Sequence, residues 1–491
     1  MPQLVKTDLW AHQRNALAKF SSKRNILCCW DMGTGKTLFA IERDLRLRHN
    51  FNPNHLTLVI APLPTHRNWV KRFEEETDLS VKRIINSDRD NLFDDSHHVY
   101  VINYKAVAMM DDRLFKNFTH IIVDECHRIK NRKAKQAVAI KKIKGKYRTL
   151  MSGSPITTKP QDLWSLLNYL YPSQYSSYTR FINTMTDSER PWITVNGRVR
   201  QANYVITHGP SSDWFDVGYP EIEPFYDRVL LEECGLDIPP VNVTRIEVEL
   251  NKKQRKQYDD MNNDFLAWVE SHQAFQFDTV DDVIEKIGAG SYIDTEPAET
   301  EPLAASVVIA QLQRLQQFAA GTVYYDEEQD TYGLKTPSSK VDASMQLIGD
   351  SDEKFLVFSQ FSKTIDMLSG PLQKAKIGHV YYTGRENQRT KDANLERFLT
   401  DKTCRVFIST LGAGGVGIDE LQEVCHNLIF FDRAWSPTLN DQAIGRIKRY
   451  GQKNIINVWD LVTVDTIDEV RLGKIEYTKQ WVAQMLSGEL A

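Results

Sequence analysis

The chain has 491 residues, enough for two or three domains with their own cores, and 41% hydrophobic with 26% charged residues is an ordinary water-soluble balance. A formal net charge of −4 does not mark the whole molecule as a nucleic-acid binder, so any phosphate contact must come from a local basic stretch. No apolar run reaches the roughly 18 residues of a membrane span, the N-terminal MPQLVKTDLWAHQ lacks a secretory layout, and the six cysteines form no CxxC pair, so neither a zinc site nor a disulfide framework is suggested and a reducing cytoplasm is expected.

In chain order, the first 170 residues alternate apolar runs with helical stretches. The runs NILCCW (25–30), LTLVIAP (56–62), HVYVIN (98–103), HIIVDE (120–125) and RTLMSG (148–153) each end in turn or polar residues, which predicts buried parallel strands. The alternation is that of a doubly wound α/β sheet, whose ligand sites lie beyond the carboxyl ends of the strands. Residues 128–148 hold ten basic residues and no acidic one, a candidate phosphate-steering stripe or a solvated helix. Further on, 251–271 and 303–319 read as helices flanking an acidic, proline-bearing loop at 278–302, while 190–240 carries no assignable pattern. From 354 the α/β pattern returns with KFLVFSQ (354–360), IGHVYYT (377–383), CRVFIST (404–410), HNLIFFD (426–432) and INVWDLV (456–462), with helices predicted at 386–399, 437–449 and 466–486. The predicted organisation is lobe 1 over 1–171, a partly helical insertion and connection over 172–337, and lobe 2 over 338–491.

Three segments carry chemistry. DMGTGKT, from Asp31 to Thr37, follows one strand and precedes a helix. Glycines there let backbone N–H groups approach a triphosphate: Gly33, Thr34 and Gly35 would cradle it, Lys36 would sit on the β- and γ-phosphates, and the Thr37 hydroxyl would bind Mg²⁺. The strict P-loop pattern has glycine where this chain has Trp30. Asp124-Glu125-Cys126-His127 ends a later strand, and a nucleotide enzyme needs one carboxylate for Mg²⁺, here Asp124, and one to activate water, here Glu125. QAIGRIKRYGQ, from Gln442 to Gln452, places Arg446 and Arg449 three apart, on one face of the predicted helix. Arginines brought from another lobe can stabilise charge on a transferring phosphoryl group, although a solvated surface helix would look the same.

In this order the segments resemble helicase superfamily two, and within it the Swi/Snf-like group of ATP-dependent DNA translocases, as a compact bacterial- or phage-type member. LWAHQRNAL, DMGTGKT, LVIAPLPTHRNWVKRFEE, VINYKAV, VDECHRIKN and LMSGSPITTKPQDLWSLLNYL match in the first half. KFLVFSQFSKTIDML, ISTLGAGGVGIDELQ and IFFDRAWSPTLNDQAIGRIKRYGQ match in the second, the whole covering about 1–172 and 338–470. Cys126, Ser152, Ser154 and Gly445 depart from residues common in the group. The resemblance implies two RecA-like lobes, ATP and Mg²⁺ as cofactors, and a DNA-stimulated ATPase moving on duplex or branched DNA. It implies that Gln13 reads adenine, that Gly415, Gly417 and Asp419 face the nucleotide from lobe 2, and that Arg446 and Arg449 complete the site. His127, Ser152 and Gln442 would couple the lobes. Thr65, Asn103, Tyr104, Ser359, Ser409 and Thr410 would touch the nucleic-acid backbone, contacts that carry no sequence information, and Trp435 with Pro437 forms either a DNA-touching loop or a packed turn. A monomer is expected, with no protein partner indicated. A strand-separating DNA or RNA helicase is the alternative, and a non-hydrolysing adaptor a third reading that Lys36, Glu125 and Arg449 together disfavour. No wedge hairpin is expected beside HNLIFFD, where no Asn-Gly or Asp-Gly turn occurs.

Overall fold

The computed structural model describes residues 3–85, 97–190, 192–195, 198–201, 205–272, 303–326, 331–414, 418 and 420–489. The acidic segment 278–302 lies outside the described residues. Two compact units form, one from Met1–Asp187, His208–Leu236 and Trp481–Ala491, the other from Ser188–Thr207 and Asp237–Gln480.

The first unit is a seven-stranded parallel sheet. Its strands are β1 (Asn25–Trp30), β2 (Leu56–Ile60), β3 (Val81–Arg83), β4 (Val99–Ile102), β5 (Phe118–Asp124), β6 (Tyr147–Met151) and β7 (Tyr226–Val229), in the order β7-β1-β6-β5-β2-β4-β3. Strand residues alternate between two cores because successive side chains leave opposite faces. Leu27, Cys29, Leu58, Ile60, Ile121 and Val123 join one cluster with residues of the helices Tyr104–Met109, Lys135–Lys142 and Asp162–Leu170. Ile26, Cys28, Trp30, Val59, Ala61 and Ile122 join the other with the helices Ala11–Lys19, Lys36–Asn50 and His66–Glu76. Helices therefore cover both faces, as the doubly wound pattern predicts. Strand β7 comes from the stretch read as a connection; its YDRV has too few apolar residues to announce a strand.

A polar knot lies within this unit. Asp44 is fully buried, and its Oδ1 accepts from His55 Nε2 (2.9 Å), His120 Nδ1 (2.7 Å) and Thr57 Oγ1 (2.6 Å), while Arg48 Nε donates to Oδ2 (2.8 Å). These donors hold the Asp44 carboxyl well below its usual range against the opposing effect of burial. Burial pushes both His120 and His66 down to about 4. The unfolded chain then takes up these protons first as pH falls, so stability present above about pH 6.5 is lost on the way to about pH 4. Each histidine is expected to cost roughly 2 kcal/mol at about pH 5. Urea unfolding should show a midpoint well below its value at neutral pH; an unchanged midpoint would mean the two histidines titrate normally.

The second unit carries a six-stranded parallel sheet of β8 (Val241–Val248), β9 (Phe355–Ser359), β10 (Gly378–Tyr382), β11 (Cys404–Thr410), β12 (Asn427–Phe430) and β13 (Ile456–Thr463), in the order β8-β13-β12-β9-β11-β10. Again two clusters sandwich it, Leu356, Phe358 and Phe430 facing one way, Phe355, Val357 and Ile429 the other. The helices Lys252–His272 and Leu303–Ala320 agree with the sequence reading and share a small core with Trp435 and Ile467. The helix predicted over 437–449 ends at Ile444, with Gly445 as its C-cap, so Arg446 and Arg449 lie in the turns that follow. In the unassigned 190–240 stretch, Trp192–Val195 pairs antiparallel with Arg198–Gln201.

Candidate ATP site

The P-loop sits where β1 hands over to the helix Lys36–Asn50. Gly33 and Gly35 take φ of +84° and +77°, a left-handed backbone that side chains disfavour. Gly35 is doubly required, because a Cβ there would collide with Gln13 Nε2. Gln13 is buried and donates from Nε2 to the Gly35 carbonyl (2.9 Å), which ties the expected adenine-reading residue to the phosphate loop. His12, which the sequence reading did not single out, adds a second tie through Nε2 to the Thr34 carbonyl (2.9 Å). Thr34 turns its hydroxyl inward to Asp31 O (2.7 Å) and so braces the loop. Lys36 Nζ donates to the carbonyls of Trp30 (2.8 Å) and Asp31 (2.7 Å). The helix N-terminus and this ammonium together suit a polyphosphate.

At the end of β5, Asp124 Oδ2 accepts from Trp69 Nε1 (2.9 Å). Burial and the adjoining Glu125 charge push the Asp124 carboxyl upward, with the Trp69 N–H pulling the other way. Glu125 has φ of +55°, a costly conformation outside glycine, which turns the chain sharply after the strand. Its Oε2 lies 3.3 Å from His127 Nδ1 and 3.4 Å from Ser152 Oγ, and His127 Nδ1 is 3.0 Å from Ser152 Oγ. Burial opposes ionisation of Glu125, but the His127 hydrogen bond and charge outweigh it and hold the carboxyl below its usual range. The pair is thus split, one carboxyl raised and one ionised. Asp124 and the Thr37 hydroxyl are hard oxygen donors of the kind Mg²⁺ takes, and Trp69 engages one Asp124 oxygen, so the residues fit the ion.

Several expected contacts face inward. Tyr104 is buried, and its hydroxyl donates to the carbonyls of Asp124 (2.5 Å) and Glu125 (3.1 Å), so it braces the carboxylate turn instead of meeting a nucleic-acid backbone. Ser359 is buried against Asp432 Oδ2 (2.5 Å), and Ser409 donates to the Tyr382 carbonyl (2.6 Å). Trp435 is 3% exposed within the helical core. These four side chains turn inward, which leaves little of each for a nucleic-acid backbone to reach. Thr410 and Gln442 are also buried, whereas Asn103 caps the helix Tyr104–Met109 through Ala106 N (2.8 Å), and Thr65 Oγ1 donates to the Pro62 carbonyl (2.9 Å). In the second unit, Arg446 and Arg449 both donate to the Ile418 carbonyl (3.0 and 3.4 Å). Gly415, Gly417 and Asp419, which flank Ile418, lie outside the described residues.

A phosphate loop, a split carboxylate pair and two parallel α/β sheets define an ATP hydrolase built on RecA-like lobes. The SNF2-related domain model matches residues 9–287 and the helicase conserved C-terminal domain model matches 339–451. The chain belongs to the SNF2-related, Swi/Snf-like family of helicase superfamily two, a family of ATP-dependent helicases and remodellers. It is similar to an uncharacterized ATP-dependent helicase of Mycoplasma pneumoniae (23% identical, covering 92% of this chain and 39% of that protein). It is likewise similar to human chromodomain-helicase-DNA-binding protein 6 (24%, 93% and 16%) and human lymphoid-specific helicase (24%, 89% and 58%). The chain therefore spans well under two thirds of these relatives. Among solved structures, a Sulfolobus solfataricus SWI2/SNF2 ATPase core in complex with dsDNA aligns over 100% of this chain and 97% of that one, at 20% identity and a TM-score of 0.42. Among the described residues, no helix is long and apolar enough to cross a membrane.

Proposed function

We propose that the chain is a DNA-stimulated ATPase that translocates along duplex or branched DNA, with fork or junction remodelling as its use. Asp124 and Thr37 would hold Mg²⁺, which supplies charge to the transferring phosphoryl group. Glu125 orients and deprotonates the attacking water, Lys36 exchanges its loop carbonyls for phosphate oxygens, and Arg446 and Arg449 of the second unit contribute charge to turnover. Gly33, Thr34 and Gly35 hold the phosphates, and Gln13 selects the base.

The observation that carries the reading is that the segment 152–162 touches the hydrolytic carboxylate at one end and the basic stretch at the other. Ser152, which touches Glu125 and His127, begins the segment 152–162. In that segment Thr157 Oγ1 donates to Asp162 Oδ2 (2.7 Å), Lys130 Nζ bonds Thr157, and Lys141 Nζ reaches Asn168 Oδ1 (3.1 Å) on the next helix. One short segment thus lies between the hydrolytic carboxylate and 128–148, where Lys142, Lys144 and Lys146 are exposed. Lys130, Lys141 and Arg148 serve this packing, so the stripe is part strut and part phosphate-facing surface. Thr65 and Asn103 remain as further backbone contacts, and the DNA-binding name of the human relative supports the choice of nucleic acid.

The antiparallel pair of Trp192–Val195 and Arg198–Gln201 favours a second reading as a strand-separating helicase, since a wedge is what unwinding needs. ATPase rates on single-stranded DNA, duplex DNA, forked DNA and RNA, with triplex displacement and tailed-duplex unwinding alongside, test both. Translocation predicts stimulation by duplex or forked DNA and triplex displacement with poor unwinding. Efficient unwinding with no triplex displacement, abolished when 192–201 is replaced by a glycine-serine linker, would install the second reading.

A further inference from the structure

The helix Lys135–Lys142 and the segment from Val107 to Phe115 enclose a groove of about 480 Å³ on the first unit. It lies apart from the ATP-site residues, none of which lines it. Val107, Met110, Phe115 and Val138 contribute apolar side chains to its lining, among polar ones. Around it, Met109, Leu114 and Val138 are 61%, 44% and 44% exposed, a concentration of large apolar side chains that water-facing helices rarely carry. Lys133, Lys135 and Lys142 stand on its rim. Two carboxylates also line it, but Asp111 is paired with Arg113 (2.5 Å), which leaves the rim with a positive balance.

We propose that this groove docks an acidic, amphipathic peptide segment of a partner protein. An apolar stripe meets the apolar side chains of the lining, and flanking carboxylates meet the three lysines, the pattern of a helix laid in a groove. DNA fits less well, because a phosphate backbone gains nothing from apolar side chains and meets Asp111 and Asp112. Lys142 is shared with the lysines that face DNA in the function proposed above, which extend to Lys144 and Lys146, so Val138 is the residue that separates the two surfaces.

The probe is a synthetic helical peptide with leucines at every third and fourth position and glutamates between, labelled for fluorescence anisotropy against the full chain. Its counterpart with glutamines for glutamates, and a labelled DNA duplex, are titrated in parallel. The acidic peptide is expected to bind more tightly than the glutamine peptide. Val138→Asp should weaken it by about tenfold or more, since a buried valine contact is lost. Lys135→Glu with Lys142→Glu should do the same, while Val138→Asp leaves duplex affinity and basal ATPase unchanged. Absence of acidic-peptide binding, or binding indifferent to Val138→Asp, overturns the proposal. Equal loss of peptide and DNA binding in Val138→Asp overturns it too and assigns the groove to the nucleic-acid path. None of these results depends on translocation, so failure here leaves the ATPase reading standing.

Discussion

Glu125→Gln is expected to bind ATP with little change in affinity yet hydrolyse it roughly 10²–10⁴-fold more slowly, the usual range for loss of a positioned general base. The substitution is nearly isosteric and removes the negative charge that His127 stabilises. An amide can still meet Ser152 and His127, so the turn at the end of β5 should persist, and no large fall in folding stability should accompany the loss. The carboxylate of Asp124 would then lose the neighbour whose charge pushes it upward, and any Mg²⁺ it holds should be retained or bound more tightly. Single-turnover hydrolysis, set beside equilibrium binding of ATP, separates these effects. Near-normal turnover in Glu125→Gln would remove Glu125 from the base role and leave Asp124 as the only carboxylate of the pair to consider. Ser152→Ala should do less to basal hydrolysis, since Ser152 touches Glu125 without replacing its charge.

The second large effect lies far from the nucleotide in sequence. The helix Ile467–Ser487 begins in the second unit, and its residues from Trp481 onward belong to the first. There the carbonyls of Ala483, Met485 and Leu486 accept from Arg228 Nη1 (3.0 Å), Trp214 Nε1 (2.9 Å) and Tyr226 OH (2.7 Å). Trp481, Met485 and Leu486 are buried in the same core as Leu27 and Cys29 of β1. Deleting 481–491 is expected to uncover Trp214, Ile222, Phe225 and Tyr226 together. Truncating one buried Leu, Met or Trp commonly costs about 2–5 kcal/mol, so losing three rivals the whole stability of a typical domain, about 5–15 kcal/mol. Nucleotide binding should fall with it, because β7 props the P-loop strand: Asp31 N donates to Val229 O (2.9 Å) and Trp30 Nε1 to Asp227 Oδ2 (2.7 Å). Thermal unfolding of the truncated chain checks this, with Met485→Ala as the milder variant expected to cost about 2–5 kcal/mol. A truncated chain that melts where the full one does would show that these contacts add nothing.

What could be read from the amino-acid order follows from which signals are local. NILCCW and HIIVDE are continuous apolar runs bounded by turn residues, and both are buried strands. DMGTGKT and DECH are compact enough that their loop geometry is set by a few neighbouring residues, and the structure brings Glu125, His127 and Ser152 together. Tyr226–Val229 escaped notice because its four residues include Asp227 and Arg228, and only pairing with β1 makes it a strand. Arg446 and Arg449 share a carbonyl, but from turns and not from one helical face, since Gly445 ends the helix. Burial was the least visible property. Tyr104, Ser359, Ser409 and Trp435 sit in segments that resemble nucleic-acid contacts, and nothing local says that their side chains turn inward. Trp69 and His12 became interpretable only once Asp124 and Thr34 were in reach.

The closing of the first sheet by late residues also governs how the chain can be made. Side chains of its edge strand β7 bond to segment 481–486, so a ribosome must pass residue 486 before those contacts can form. At about 5–20 residues per second, the roughly 250 residues between Val229 and Trp481 take on the order of 10–50 s to synthesise. During that time Trp214, Phe225 and Tyr226 are exposed on a growing chain, a window in which a nascent-chain chaperone has apolar surface to hold. The P-loop strand therefore leaves the ribosome long before it is fully supported.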